Sequence, residues 1–90
     1  MLISVYSARF LKDLKRCEKR GLDLQRLETV IRNLQEEMPL EPKHRAHPLQ
    51  GEYKGYMECH IGPDWLLIYL IDHDRNKIYI ARTGTHDDLF

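Results

Sequence analysis

An α+β domain, with helices packed on one face of a mainly antiparallel sheet, is predicted by three observations. Residues 8 to 38 carry apolar side chains at three- and four-residue steps, the period of an amphipathic helix. After Gly51 the period becomes two, as in strands exposed on one side. Between them the stretch PLEPKHRAHPLQ, residues 39 to 50, holds three prolines and follows neither period.

Each element follows in order. LISVY at residues 2 to 6 is β-branched and aromatic, and predicts a short strand. Ser7 can then cap a helix whose apolar side includes Phe10, Leu11, Leu14 and Cys17, with Gly21 as its left-handed stop. In the second helix Leu24, Leu27, Ile31, Leu34 and Met38 share one face, Asp23 is the cap, Leu22 and Leu27 can staple its start, and Pro39 ends the pattern. The seam formed by the two helices is expected to pack on the chain's own sheet. The proline-rich stretch reads as a loop ending in a short edge strand at HPLQG. Three consecutive strands follow, YKGYMECHI, WLLIYLID and KIYIART, joined by Gly62-Pro63 and by the tetrad His73 to Asn76.

Ninety residues suffice for a single domain, 1–90, with one modest core. No apolar run approaches the roughly 20 residues that span a bilayer, and the amino terminus lacks the basic-then-apolar pattern of a secretion signal. A cytoplasmic protein without membrane association is therefore expected. Cys17 and Cys59 stand far apart with no CxxC spacing, so they read as reduced, partly buried thiols. The formal net charge is zero, yet Arg9, Lys12, Lys15, Arg16, Lys19 and Arg20 form a basic block against only Asp13 and Glu18. Such a block can attract phosphate or an acidic partner, and equally can be a solvated helix face.

The strand alternation sorts the chemistry. Met57, Cys59 and Ile61 point one way, and Tyr56, Glu58 and His60 the other. The next strand is apolar on both sides, which suits a central position. Tight, regular hairpins would pair His60 with Trp65, Glu58 with Leu67, and Leu67 with Arg82. That register puts Leu66, Ile68, Leu70, Tyr79 and Ala81 under the helices. It leaves Trp65, Tyr69 and Arg82 beside Glu58 and His60 on the opposite face, where Glu58 could partner Arg82. Strand direction alone gathers His60, Asp64, Arg82 and His86 at one end of the sheet, and HPLQG would bring His47 beside Tyr56.

Imidazoles exchange protons near neutrality, with an unperturbed pKa of about 6.5, and a carboxylate can orient them. An arginine fork can hold phosphate oxygens and stabilise charge that grows during attack on a phosphodiester. Exposed rings such as Tyr56 and Phe90 can stack on unpaired bases, and Lys54 is assigned to the substrate with them. Together these residues describe a metal-free, cofactor-free ribonuclease. His44-x-x-His47 invites a metal ion, but no Cys or carboxylate in that loop completes a ligand set. Trp65 is the expected packing anchor of its strand, and Asp64 also has a plain role as a turn residue.

HPLQG (47 to 51), KGYMECHIGPDWLLIY (54 to 69) and RTGTHDDLF (82 to 90) together resemble the YafQ-like toxins of the RelE/ParE superfamily, the toxic halves of bacterial type II toxin–antitoxin pairs. The resemblance implies a RelE-like βαα unit followed by the sheet, and a ribosome-dependent endoribonuclease that cuts mRNA in the ribosomal A site. It implies His47, His60, Asp64, Arg82 and His86 as catalytic residues. In the expected reaction the ribose 2′-hydroxyl attacks the adjacent phosphorus, leaving a 2′,3′-cyclic phosphate and a 5′-hydroxyl. His86 is the general acid, His60, His47 and Asp64 share base and orienting duties, Arg82 stabilises the phosphorane-like charge, and Phe90 positions the mRNA. The resemblance further implies the ribosome, mRNA and a cognate antitoxin as partners, with operator DNA bound through that antitoxin. The alternative within the superfamily is a ParE-like toxin that binds DNA gyrase without cutting RNA.

Overall fold

Ser7 accepts a hydrogen bond from the Phe10 amide at 2.9 Å and opens helix α1, Ala8–Lys19, as its side chain predicts. The computed structural model describes residues 1–90. At the end of α1, Gly21 at φ +77° closes a Schellman turn, with the Leu22 amide on the Cys17 carbonyl and the Gly21 amide on that of Glu18. Asp23 then caps helix α2, Leu24–Gln35, by accepting from the Gln25 amide at 3.0 Å. The second helix ends earlier than its apolar pattern. Glu37 takes the left-handed conformation at φ +55°, the Met38 amide closes on the Asn33 carbonyl, and Met38 is left outside the helix and exposed.

The sheet has five strands in the order β1-β5-β4-β3-β2: β1 (Ile3–Tyr6), β2 (His47–Pro48), β3 (Met57–Gly62), β4 (Trp65–Asp72) and β5 (Lys77–Gly84). β1 pairs parallel with β5, and every other pairing is antiparallel. The α+β class and the helices on one face stand as expected. Residues 73 to 76 make the β4–β5 turn, and no helix is long and apolar enough to cross a membrane.

The hairpin register differs from the regular one. His60 pairs with Leu66 and Gly62 with Trp65, so Ile61 is an extra residue on β3, a β-bulge. The bulge shifts the partners of the rest of β3: Glu58 lies opposite Ile68, not Leu67. A one-residue slip inverts a strand's faces. Trp65, Leu67 and Tyr69 therefore join Met57, Cys59 and Ile61 against the helices, while Leu66 and Ile68 turn to the other side. A second irregularity falls between Ile68 and Tyr69 on β4, where Arg82 pairs with Ile68 and Ile80 with Tyr69. It brings Ile78 and Ile80 into the main core and places Ala81 in the smaller cluster of Leu66, Ile68 and Leu89 on the far face. The β3 faces are as expected, with Tyr56 packing on that far cluster.

The main core joins Phe10, Cys17, Leu27, Val30, Ile31 and Leu34 of the helices to this sheet face. Cys17 and Cys59 are both free and buried there, and burial pushes the Cys59 thiol up to about 12, so neither is poised as a nucleophile. Trp65 anchors the packing, its indole N–H donating to Thr83 Oγ1 at 3.0 Å, and the Thr83 hydroxyl donates in turn to the Leu66 carbonyl at 2.7 Å.

Beyond Ile80, β5 has no partner on the β1 side, and α1 satisfies its open edge. The Ser7 hydroxyl donates to the Ala81 carbonyl at 2.6 Å, and the Thr83 amide donates to Asp13 Oδ2 at 3.2 Å. A buried carboxylate thus substitutes for the missing strand, and it also recruits the neighbouring arginine.

Candidate active site

Thr85 opens a four-residue helix, α3 (His86–Leu89), through a capping box. Its hydroxyl accepts from the Asp88 amide at 3.1 Å, and Asp88 Oδ2 accepts from the Thr85 amide at 2.9 Å. The T-x-x-D spacing carries this signal in the sequence, although the last strand expected there ends at Thr83 and no element is assigned beyond it. Asp88 is held from the other side by Arg20, whose Nη1 and Nη2 donate at 2.6 and 3.1 Å. Hydrogen bonding to Arg20 keeps the Asp88 carboxyl well below the usual carboxylate range, against the opposing effect of burial. Two cations of the basic block therefore serve the fold, since Arg16 also pairs with Asp13 and approaches Asp88. Arg9, Lys12, Lys15 and Lys19 enter no ion pair.

The box fixes where His86 stands. Asp64, in the β3–β4 turn at φ +49°, accepts from the His86 amide at 3.0 Å and lies 2.7 Å from its Nδ1. These contacts, the amide's first and the ring's second, hold the Asp64 carboxyl below its ordinary value. With Nδ1 on Asp64, the Nε2 of His86 is left for a ligand. The His60 ring lies 6.3 Å from that of His86, and the Phe90 ring 6.4 Å from it on another side. Phe90 meets Tyr53 edge-on at 6.0 Å, and Tyr53 meets Tyr56 edge-on at 6.2 Å. A run of aromatic faces thus leads away from the imidazole pair. Tyr53 belongs to this set as well; the expected strand YKGYMECHI would start at it, but β3 starts only at Met57 and Tyr53 ends a 3-10 turn, Gly51–Tyr53. Lys54, which caps that turn, is exposed beside it.

His47 lies opposite Glu58 in the β2–β3 pair, not beside Tyr56, and its Nε2 is 3.1 Å from Glu58 Oε1. Glu58 is nearly inaccessible at 4% exposure, and His47 is its only hydrogen-bonding partner. The carboxylate that the loop histidines lack is therefore supplied by β3: donor atoms of His47, Glu58 and His60 all lie within 4.8 Å of one another, a set able to hold a metal ion. His44 is not in that set. Its Nδ1 lies 2.7 Å from the His60 carbonyl oxygen, so it braces the backbone of β3.

Arg82 departs most from expectation. It does not meet Glu58 and is not free beside His86. Its Nε and Nη2 donate to Asp13 at 2.7 and 3.0 Å, and the residue is 8% exposed. The bond to Asp13 raises its pKa further, so it is a permanent buried cation. No local signal in the sequence links residues 13 and 82. Arg82 still lines an open depression with Ser7, Arg9, Tyr53 and Tyr56. The exposed cations around His60 are Arg26, Lys43 and Arg45, which border a cleft of about 440 Å³ with His44 and Asp64; Arg26 also donates to the Ile61 carbonyl at 2.8 Å.

Comparison with known proteins agrees with this fold. A family model described as the bacterial toxin of type II toxin–antitoxin system, YafQ, matches residues 3–90. The mRNA interferase toxin YafQ of Escherichia coli K12 is 40% identical over 86 residues, which span 94% of this chain and 91% of that protein. A crystal structure of a metal-bound toxin from Helicobacter pylori is similar at a TM-score of 0.94 and 46% identity, covering 100% of both chains. YafQ in the E. coli DinJ–YafQ toxin–antitoxin complex is similar at a TM-score of 0.88 and 39% identity, covering 99% of this chain and 97% of that one. These matches lend the ParE-like alternative no support. With the family model matching nearly its whole length, the chain belongs to the YafQ family of toxins from type II toxin–antitoxin systems.

Proposed function

We propose that this chain is an endoribonuclease that cleaves mRNA in the ribosomal A site by acid–base catalysis without a catalytic metal. The observation that carries the reading is the exposed His86 ring held at Nδ1 by Asp64, 2.7 Å away, with the His60 ring 6.3 Å distant. A phosphodiester lying between the two rings, beside the cleft that His60 and Asp64 border, can contact both.

The proposed reaction follows from the parts. The ribose 2′-hydroxyl loses its proton to His60 as its oxygen attacks phosphorus. His47, set by Glu58, lies on the same side and orients the nucleophile. As the bond to the 5′-oxygen breaks, His86 gives that oxygen a proton from Nε2, while Asp64 fixes the ring. The products are a 2′,3′-cyclic phosphate and a 5′-hydroxyl. Lys43 and Arg45 lie on the open side of the cleft and meet the phosphate oxygens. Arg82 contributes as a fixed cation beneath the Tyr53–Tyr56 side, with Asp13 offsetting much of its charge. Phe90, Tyr53 and Tyr56 stack on the bases of the unpaired codon, and Lys54 meets the backbone beside them.

The family further supports a cytoplasmic role with the ribosome as platform and a cognate antitoxin as inhibitor. The toxin–antitoxin pair then binds operator DNA through the antitoxin. The test is to add wild type or His86→Ala to translating ribosomes and map mRNA ends by primer extension. The expected result is new ends with wild type and a rate about 10² to 10⁴ lower with the variant, the usual scale for one acid–base group. Equal cutting by both would remove His86 from the chemistry.

A further inference from the structure

We propose that Arg26, with Lys43 beside it, holds the RNA phosphate on the 5′ side of the nucleotide whose 2′-hydroxyl attacks, so that the strand runs from helix α2 across the imidazole pair to Phe90. The phosphate site stands on geometry alone, whereas the direction of the strand rests on the reading of His60 and His86 as base and acid of a ribonuclease.

The first argument is how Arg26 is held. Ile61 is the bulged residue of β3 and has no partner across β4. Its carbonyl accepts instead from Arg26 Nη2 at 2.8 Å. A Cβ built on Gly62 would lie 3.3 Å from both Nη1 and Nη2 and 3.5 Å from Cζ, so the guanidinium lies broadside to that glycine. Gly62 is not in the left-handed region, and the arginine, not the backbone, explains its missing side chain. A carbonyl fixes the guanidinium without cancelling its charge, and neither Arg26 nor Arg45 pairs with a carboxylate. Lys43 stands 3.6 Å from Glu41, an exposed pair that solvent largely screens. Asp64, the other acid of the cleft, is taken up by the His86 amide and ring. A guanidinium anchored through one nitrogen, with its other N–H groups unused, suits a phosphate as acceptor.

The second argument is order along the groove. Arg45 borders only the cleft that His60 and Asp64 share. Arg26, Lys43 and His44 border both that cleft and an adjoining hollow of about 190 Å³ lined by Thr29, Asn33 and Glu41. Arg45 therefore stays with the scissile phosphate, and the next phosphate of the strand falls at the junction, with its nucleoside in the hollow. The chemistry sets which phosphate this is. His60, the base, lines the cleft and must stand at the ribose that carries the attacking hydroxyl, on the 5′ side of the cut. His86, the acid, lies 6.4 Å from the Phe90 ring, on the side of the departing 5′-oxygen and the nucleotides beyond it. The cleft thus takes the upstream strand, and the run of Phe90, Tyr53 and Tyr56 takes the downstream bases. Charge grips one flank and aromatic stacking the other.

The test pairs protein variants with single neutralised phosphates. Ribosomes programmed with synthetic mRNA receive the full chain, and the mRNA carries one methylphosphonate, either just upstream of the attacking nucleotide or one nucleotide downstream of the cut. The upstream methylphosphonate should slow cutting by roughly tenfold to a hundredfold, Arg26→Gln should do the same, and the two combined should cost no more than either alone. Losses that multiply would overturn the contact, and coupling of Arg26 to the downstream linkage would overturn the direction. Binding is read separately, from the fluorescence anisotropy of a short single-stranded RNA with 2′-O-methyl on every ribose, which cannot be cut. There the slope of log K against log salt should shrink by about 0.7 in Arg26→Gln and in Lys43→Gln, one phosphate contact each. Arg75→Gln, in the β4–β5 turn at the far end of the sheet, should leave it unchanged. Lys43→Gln alters an exposed side chain in a 3-10 turn, so it keeps the test valid even where Arg26→Gln unfolds. A slope indifferent to both variants, or reduced equally by Arg75→Gln, would overturn the site. A chain that never cuts mRNA yet loses slope in both variants refutes the nuclease reading and leaves the phosphate site standing.

Discussion

Replacing Gly84 with alanine should loosen the last turn of the chain and, through it, the catalytic pair. Gly84 stands at φ +153°, and a Cβ built there would lie 2.8 Å from Asp88 Oδ2 and 3.0 Å from Asp88 Cβ. No side chain fits at those distances, and the obstructing atoms do not belong to a floppy tip. Asp88 is pinned by the Thr85 amide at 2.9 Å and by Arg20 at 2.6 Å. The methyl group must push Asp88 out of the capping box. Loss of the cap costs about 1 kcal/mol, and an L side chain at this backbone angle adds about 1–3 kcal/mol. A total of roughly 2–4 kcal/mol should appear in urea denaturation as a lower midpoint with unchanged slope. The activity effect runs through His86, two residues on. A displacement near 1 Å lowers the rate by about 10², and it should fall on kcat more than on KM, because Tyr53, Tyr56 and the exposed cations of the cleft lie outside that turn, with only Phe90 moving along with it. A Gly84→Ala variant with the wild-type midpoint and rate would refute the clamp.

Two more outcomes follow from the charge arrangement. Asp13→Asn keeps the volume but strands Arg82 in the interior without its counter-charge, so a loss of about 3–5 kcal/mol in denaturant unfolding is expected; a loss under about 1 kcal/mol would contradict the burial of that pair. Asp64 is held below its ordinary value by the His86 amide and ring, so its contribution to stability is complete above pH ~4 and fades as pH falls through its lowered value. An NMR titration of Asp64 with a midpoint at or above ~3.9 would contradict the contact with His86.

Local signals in the sequence were sufficient for the caps at Ser7 and Asp23 and the stop at Gly21, because each acts within four residues of itself. The β3 alternation was legible for the same reason. β4 was not: apolar side chains on both faces leave no period-two contrast, so nothing in WLLIYLID could expose the bulge at Ile61 that inverts it. Met38 misled because apolar spacing continues past Glu37, where the backbone has already turned left-handed. For the site, chain direction was enough to bring His60, Asp64 and His86 together. It could not place Arg82, whose partner Asp13 lies 69 residues away. The same distance explains why Glu58 read as a partner for Arg82 and emerged beside His47.

Direct chemical analysis of the cut RNA is the sharpest check on the proposed acid–base route. Transcripts recovered from the ribosome reaction can be examined for their termini by mass spectrometry and by sensitivity to phosphatase and kinase. Attack by the neighbouring hydroxyl predicts a cyclic phosphate upstream of the cut and a free 5′-hydroxyl downstream. A 3′-hydroxyl facing a 5′-phosphate would mean that water was the nucleophile, and the roles given to His60 and His86 would be wrong.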